Sequence, residues 1–169
     1  CRALYANTDG CYNTALGQCA LYNSLSGDHN FAVGSCALCN NYGGCCNTAL
    51  GPYALKANTT GSNNFAVGAN ALDKNTTASN NTAVGLSALA ANTTGNYNTA
   101  LGSYALDATT TASYNTAIGY ASLTTMTTGN SNVAVGHNTL HADTLGDRAV
   151  AIGINSLASQ NFTSSTDNY

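Results

Sequence analysis

The 169-residue chain carries only 7% charged side chains and a formal net charge of −3, with no Glu, no Trp and a single proline, Pro52. Its four basic residues, Arg2, Lys56, Lys74 and Arg148, are scattered and give no electrostatic footprint for nucleic acid or anionic lipid. No apolar run approaches the roughly 20 residues needed to span a bilayer, and seven dispersed aspartates do not supply the convergent carboxylates of a sugar-cleaving enzyme.

Residues 1–46 hold all seven cysteines: Cys1, Cys11, Cys19, Cys36, Cys39, Cys45 and Cys46. Ala3-Leu4 matches the residues that follow each later glycine, so the chain opens inside a repeat and reads as part of a longer protein. From there glycine returns every 17 residues, at Gly17, Gly34, Gly51, Gly68, Gly85, Gly102, Gly119, Gly136 and Gly153. The consensus is N-T-A-Φ-G-x-x-A-L-x-x-N-T-T-G-x-x, with Φ aliphatic. A period this strict marks a stack of identical units. Seventeen residues leave no room for two helices, and the Asn, Thr and Gly content opposes helix. The prediction is an all-β parallel β-solenoid over residues 1–160, of about ten coils with two short strands each, followed over 161–169 by a polar tail or the start of a next segment. The column Asn13, Asn30, Asn47, Asn64, Asn81, Asn98, Asn115 and Asn132 is expected to form a stacked amide ladder.

Each glycine is preceded by an aliphatic residue, and that residue by alanine. Neighbours on a strand face opposite ways. If the aliphatic column lines the interior, the alanines lie outside. Ala49, Ala66, Ala83, Ala100, Ala117 and Ala134 are then candidates for an oligomer face, where small side chains let another chain approach.

The segment Arg148-Ala149-Val150-Ala151-Ile152-Gly153 resembles the S-V-A-I-G repeat of YadA-like heads of trimeric autotransporter adhesins, and Asn132-Val133-Ala134-Val135-Gly136 is a second match. The longer repeat is similar to head-like repeats of phage and viral tail fibres. The resemblance implies a left-handed β-roll that associates as a homotrimer, and it implies no catalytic residue and no cofactor. Typical YadA-like repeats are a few residues shorter, so the N-T-T-G turn is an enlarged loop.

Other columns offer weaker signals. Cys19 and Cys36 share a column in adjacent coils, within disulfide reach, and Cys39 could loop back to Cys45 or Cys46. Such staples suit an oxidising, extracellular setting and are favoured over a metal site. His137, His141, Asp143 and Asp147 occupy variable surface columns and read as neither metal ligands nor an acid–base pair. Asn58, Asn75 and Asn92 open N-T-T sequons, and Asn80 and Asn161 open others; the N-T-T run is read as turn chemistry rather than glycan attachment. Tyr53 and Tyr104 share one column and Tyr12, Tyr97 and Tyr114 another, as candidates for contact with a host glycan or protein receptor. The expected function is a non-enzymatic trimeric surface fibre or adhesin head, at a cell surface or on a virion. The alternative is a monomeric ice- or mineral-surface-binding solenoid using the stacked columns of Thr59-Thr60, Thr76-Thr77, Thr93-Thr94, Thr110-Thr111 and Thr127-Thr128.

Overall fold

The computed structural model describes residues 2–162, so Cys1 and positions 163–169 of the expected tail lie outside the described residues. The chain is a parallel β-solenoid with no helix among those residues. Nine three-residue strands form one sheet in sequence order: β1 (Thr14–Leu16), β2 (Phe31–Val33), β3 (Thr48–Leu50), β4 (Phe65–Val67), β5 (Thr82–Val84), β6 (Thr99–Leu101), β7 (Thr116–Ile118), β8 (Val133–Val135) and β9 (Val150–Ile152). Every pair keeps the 17-residue register, for example Ala66↔Ala83. At about 4.8 Å per coil the sheet runs roughly 38 Å.

Each coil therefore has one strand, not the expected two. The Ala-Leu segment that should have formed the second is hydrogen-bonded along the array, Leu38 N–H to the Ala54 carbonyl and Leu55 N–H to Ala71, each at 3.0 Å. Its backbone, however, is bent. The leucine takes a left-handed conformation in every coil, from φ 52° at Leu4 to 50° at Leu157. That conformation costs about 1–2 kcal/mol for an L-residue. Burying a leucine returns about 1.5–3 kcal/mol, and Leu21, Leu38, Leu55, Leu72, Leu89, Leu106, Leu123 and Leu140 are all fully buried. Because of the bend, alanine and leucine both point inward. Ala71-Leu72 and Ala88-Leu89 are each wholly inside.

The strand segment does alternate, but in the opposite phase to the expectation. Ala32, Ala49, Ala66, Ala83, Ala100, Ala117 and Ala134 are fully buried, and the aliphatic residues beside them face out. The core explains the phase. Bent Ala-Leu segments fill it from one wall, leaving room for only a methyl group from the strand opposite. Ala49, Ala66, Ala83, Ala100, Ala117 and Ala134 are core residues and cannot be an oligomer face.

The asparagine ladder is present. The Asn64 side chain donates to the Ala78 carbonyl at 2.8 Å and accepts from the Asn81 backbone N–H at 3.1 Å. Its equivalents do the same from Asn13 to Asn132. Each buried amide thus satisfies a corner carbonyl and joins its coil to the next. A second interior ladder links Asn41, Asn58, Asn75 and Asn92 amide to amide at 2.7–3.0 Å. The glycine corner is equally constrained: Gly68 has φ +131°, and a Cβ there would lie 2.4 Å from the Gly85 carbonyl oxygen.

Candidate interaction surface

The sheet turns a bare face outward. Its central file is Leu16, Val33, Leu50, Val67, Val84, Leu101, Ile118, Val135 and Ile152, and among these Leu16 is 67% exposed, Leu101 47% and Ile152 69%. On one side runs the file of Thr14, Phe31, Thr48, Phe65, Thr82, Thr99, Thr116, Val133 and Val150, with both phenylalanines 43% exposed. On the other, the residues after each glycine include Pro52, Ala69, Leu86, Tyr120 and Ile154. None of the charged residues falls in these three files. Four residues of strand rise by nine coils gives a face of about 500 Å². A third of its positions are polar, the five threonines of the first file and Gln18, Ser35, Ser103 and His137 of the third. The apolar remainder, about 330 Å², is within the range of the largest apolar patches on monomeric proteins, which often mark contact sites.

Sequence reasoning missed this file by putting it inside. The signal was present in side-chain size. The inward column is alanine in every coil, as a tight interior demands, while Leu, Val and Ile interchange in the outward one.

The candidate tyrosines occupy left-handed corners, at φ 59–63° for Tyr97, Tyr114, Tyr53 and Tyr104. Tyr97 and Tyr114 come together as an exposed parallel stack, ring centres 5.2 Å apart. Tyr53 and Tyr104 lie three coils apart in their column and do not meet. Tyr53 is covered by the Lys56 ammonium at 5.4 Å, and Tyr104 stands edge-on to Tyr120 at 5.9 Å. Tyr120 in turn stacks on His137 at 5.4 Å, so three rings line one edge of the apolar face.

His137 is thereby held at the surface, whereas Asp143 is fully buried. The Asp143 carboxylate accepts from the Gly146 and Phe162 N–H groups, and its second oxygen has no partner. Asp147 accepts from the Asn130 N–H. These groups do not converge on an acid–base site. Among the described residues no group of three His, Cys or Asp side chains is placed to hold a metal ion.

Asn58, Asn75 and Asn92, which open the N-T-T sequons, are fully buried in the second ladder. This is the turn chemistry expected of them, and it leaves their amides no room for a glycan. Thr59, Thr76, Thr93, Thr110 and Thr127 each donate their hydroxyl to the next coil's carbonyl. Only Thr60, Thr77, Thr94, Thr111 and Thr128 form an exposed file.

One surface notch, of about 310 Å³, is lined by Asp73, Lys74, Ala90, Ala91, Asp107 and Ala108. It exists because Ala90 is shorter than Asp73 and Asp107 on either side of it in the stack, and because Ala91 and Ala108 follow Lys74 in the column beside it. Asp73 is paired with Lys74 at 3.1 Å, and burial raises the Asp107 carboxyl above its usual range. The six described cysteines, Cys11, Cys19, Cys36, Cys39, Cys45 and Cys46, are all thiols, so the expected Cys19–Cys36 bond is not formed here. Cys45 has a structural use: it accepts from the Asp28 N–H at 3.4 Å, as Ser62 accepts from Cys45 and Ser79 from Ser62.

No family model matches the chain, and no curated protein or solved structure matches it.

Proposed function

We propose that the chain is a non-enzymatic structural rod that associates as a homotrimer through its outward aliphatic file, and that it serves as a segment of an extracellular surface fibre or adhesin head. The supporting observation is the outward aliphatic file, continuous over nine coils and flanked by two files without a charged residue. Transfer of the apolar two thirds of this face from water, about 330 Å² at about 25 cal/mol per Å², is worth roughly 8 kcal/mol before the costs of association. The YadA-like resemblance supplies the number three and the setting at a cell surface or virion. The exposed Tyr97–Tyr114 stack, away from the aliphatic file, is the surface offered to a host glycan or protein.

The test is the mass of the particle in solution, by sedimentation equilibrium at micromolar concentration. The wild type is expected as a trimer. Leu101→Asp with Val84→Asp is expected as a folded monomer with unchanged far-ultraviolet circular dichroism. Ala100→Arg, one residue away, is expected to disrupt the coil itself. A monomeric wild type, or a double variant that remains trimeric, would overturn the proposal. The ice-binding alternative is weakened because half of each Thr pair spends its hydroxyl within the solenoid, leaving a single file.

A further inference from the structure

Three thiols meet at one corner of the second and third coils. Cys19 and Cys36 occupy the same column on adjacent coils with the same left-handed backbone, φ 57° and 55°, and the Cys36 N–H bonds the Gln18 carbonyl at 2.8 Å. Equivalent positions on adjacent coils are about 4.8 Å apart, inside the roughly 4.4–6.8 Å window of disulfide Cα separations. Cys39 follows in the same turn as Cys36, three residues on. Cys19 is buried, while Cys36 and Cys39 are half-buried. Lys56 lies one coil on in the column of Cys39.

We propose that Cys36 is a thiol–disulfide exchange site, closing alternative disulfides with Cys19 across the coils and with Cys39 within its own turn. Burial raises the Cys19 and Cys39 thiols, Cys36 raises each further, and the Lys56 cation opposes this only at Cys39. Cys36 is thus the neighbour that both other thiols share.

With a small disulfide such as oxidised glutathione as the oxidant, the Cys36 thiolate attacks one sulfur and expels a glutathione thiolate. The Cys19 or Cys39 thiolate then attacks the Cys36 sulfur of the mixed disulfide and expels the second. Two protein thiols lose two electrons and two protons, and one oxidised glutathione becomes two reduced ones. Once Cys19–Cys36 exists, attack of Cys39 on the Cys36 sulfur releases Cys19 as thiolate, with no net redox change. Buried Cys19 is out of reach of glutathione and is oxidised only through Cys36.

The experiment incubates the folded chain in buffers of reduced and oxidised glutathione, quenches with acid, alkylates and maps disulfides by mass spectrometry. The expected products are Cys19–Cys36 and Cys36–Cys39, with no glutathione on Cys19. In Cys36→Ser both bonds are lost and Cys19 stays fully alkylatable, while Cys39→Ser retains Cys19–Cys36 alone. Preferential pairing of Cys39 with Cys45 or Cys46, or oxidation of Cys19 in Cys36→Ser, would overturn the assignment. So would a Cys36 that stays reduced after its neighbours oxidise.

Discussion

Replacing Asn64 by alanine tests whether the interior ladder holds the coils together. Asn64 is buried, and its side chain takes part in four hydrogen bonds, two of them amide to amide: Asn64 donates to Asn47 at 3.1 Å and Asn81 donates to Asn64 at 3.3 Å. Asn64 also accepts from the Asn81 backbone N–H at 3.1 Å, and it donates to the Ala78 carbonyl at 2.8 Å. The Ala78 carbonyl keeps a second donor, the Asn75 amide at 3.0 Å. The Asn47 amide oxygen likewise keeps the Asn64 backbone N–H. The Asn81 N–H has no replacement. Orphaning one buried donor costs about 1–3 kcal/mol and losing the bond to Ala78 about 1 more, so Asn64→Ala should lose about 2–4 kcal/mol. Urea unfolding gives the global value. Because repeat arrays can open locally, hydrogen exchange at the Asn81 amide gives the local one, an expected acceleration of about 30- to 900-fold. Thr60→Ala, at an exposed position four residues away, should stay within about 0.5 kcal/mol of the wild type. If Asn64→Ala is as mild as Thr60→Ala, the ladder does not hold the stack.

The second ladder tests the same bookkeeping. It stops at Asn92, whose side-chain oxygen is orphaned because the next coil presents Thr109. Thr109→Asn supplies that oxygen with a donor, but it moves the orphan to its own amide oxygen, which faces Met126, and gives up the Thr109 hydroxyl bond to the Met126 carbonyl. It should bring no gain in the same urea assay, with a loss of up to about 1 kcal/mol. Gly68→Ala should cost more than about 2 kcal/mol, from its positive φ and from contact with the Gly85 carbonyl. A thermal melt that leaves its midpoint unchanged would refute that constraint.

The period, the parallel stack and the Asn13–Asn132 ladder were legible in the sequence because all three depend only on register. What sits at position n sits above itself at n + 17, whatever path the chain takes between. The path was not legible. Alternation of neighbours presumes extended backbone, and it held for Thr99-Ala100-Leu101 but failed for Ala105-Leu106, where a left-handed leucine turns both side chains inward. Nothing in the composition of Ala-Leu announces that bend, since leucine is not a residue that favours positive φ. With both walls assumed to alternate, the phase of the strand was free, and hydrophobicity placed the larger side chain inside. Volume decides otherwise. A core already filled by Leu89, Leu106 and Leu123 accepts methyl groups from the strand and rejects a third aliphatic row. The same fact that buries Ala100 therefore exposes Leu101. The tight coil and the sticky outer face are one consequence of a 17-residue circumference, and a solenoid of this girth cannot hide its aliphatic file within a single chain.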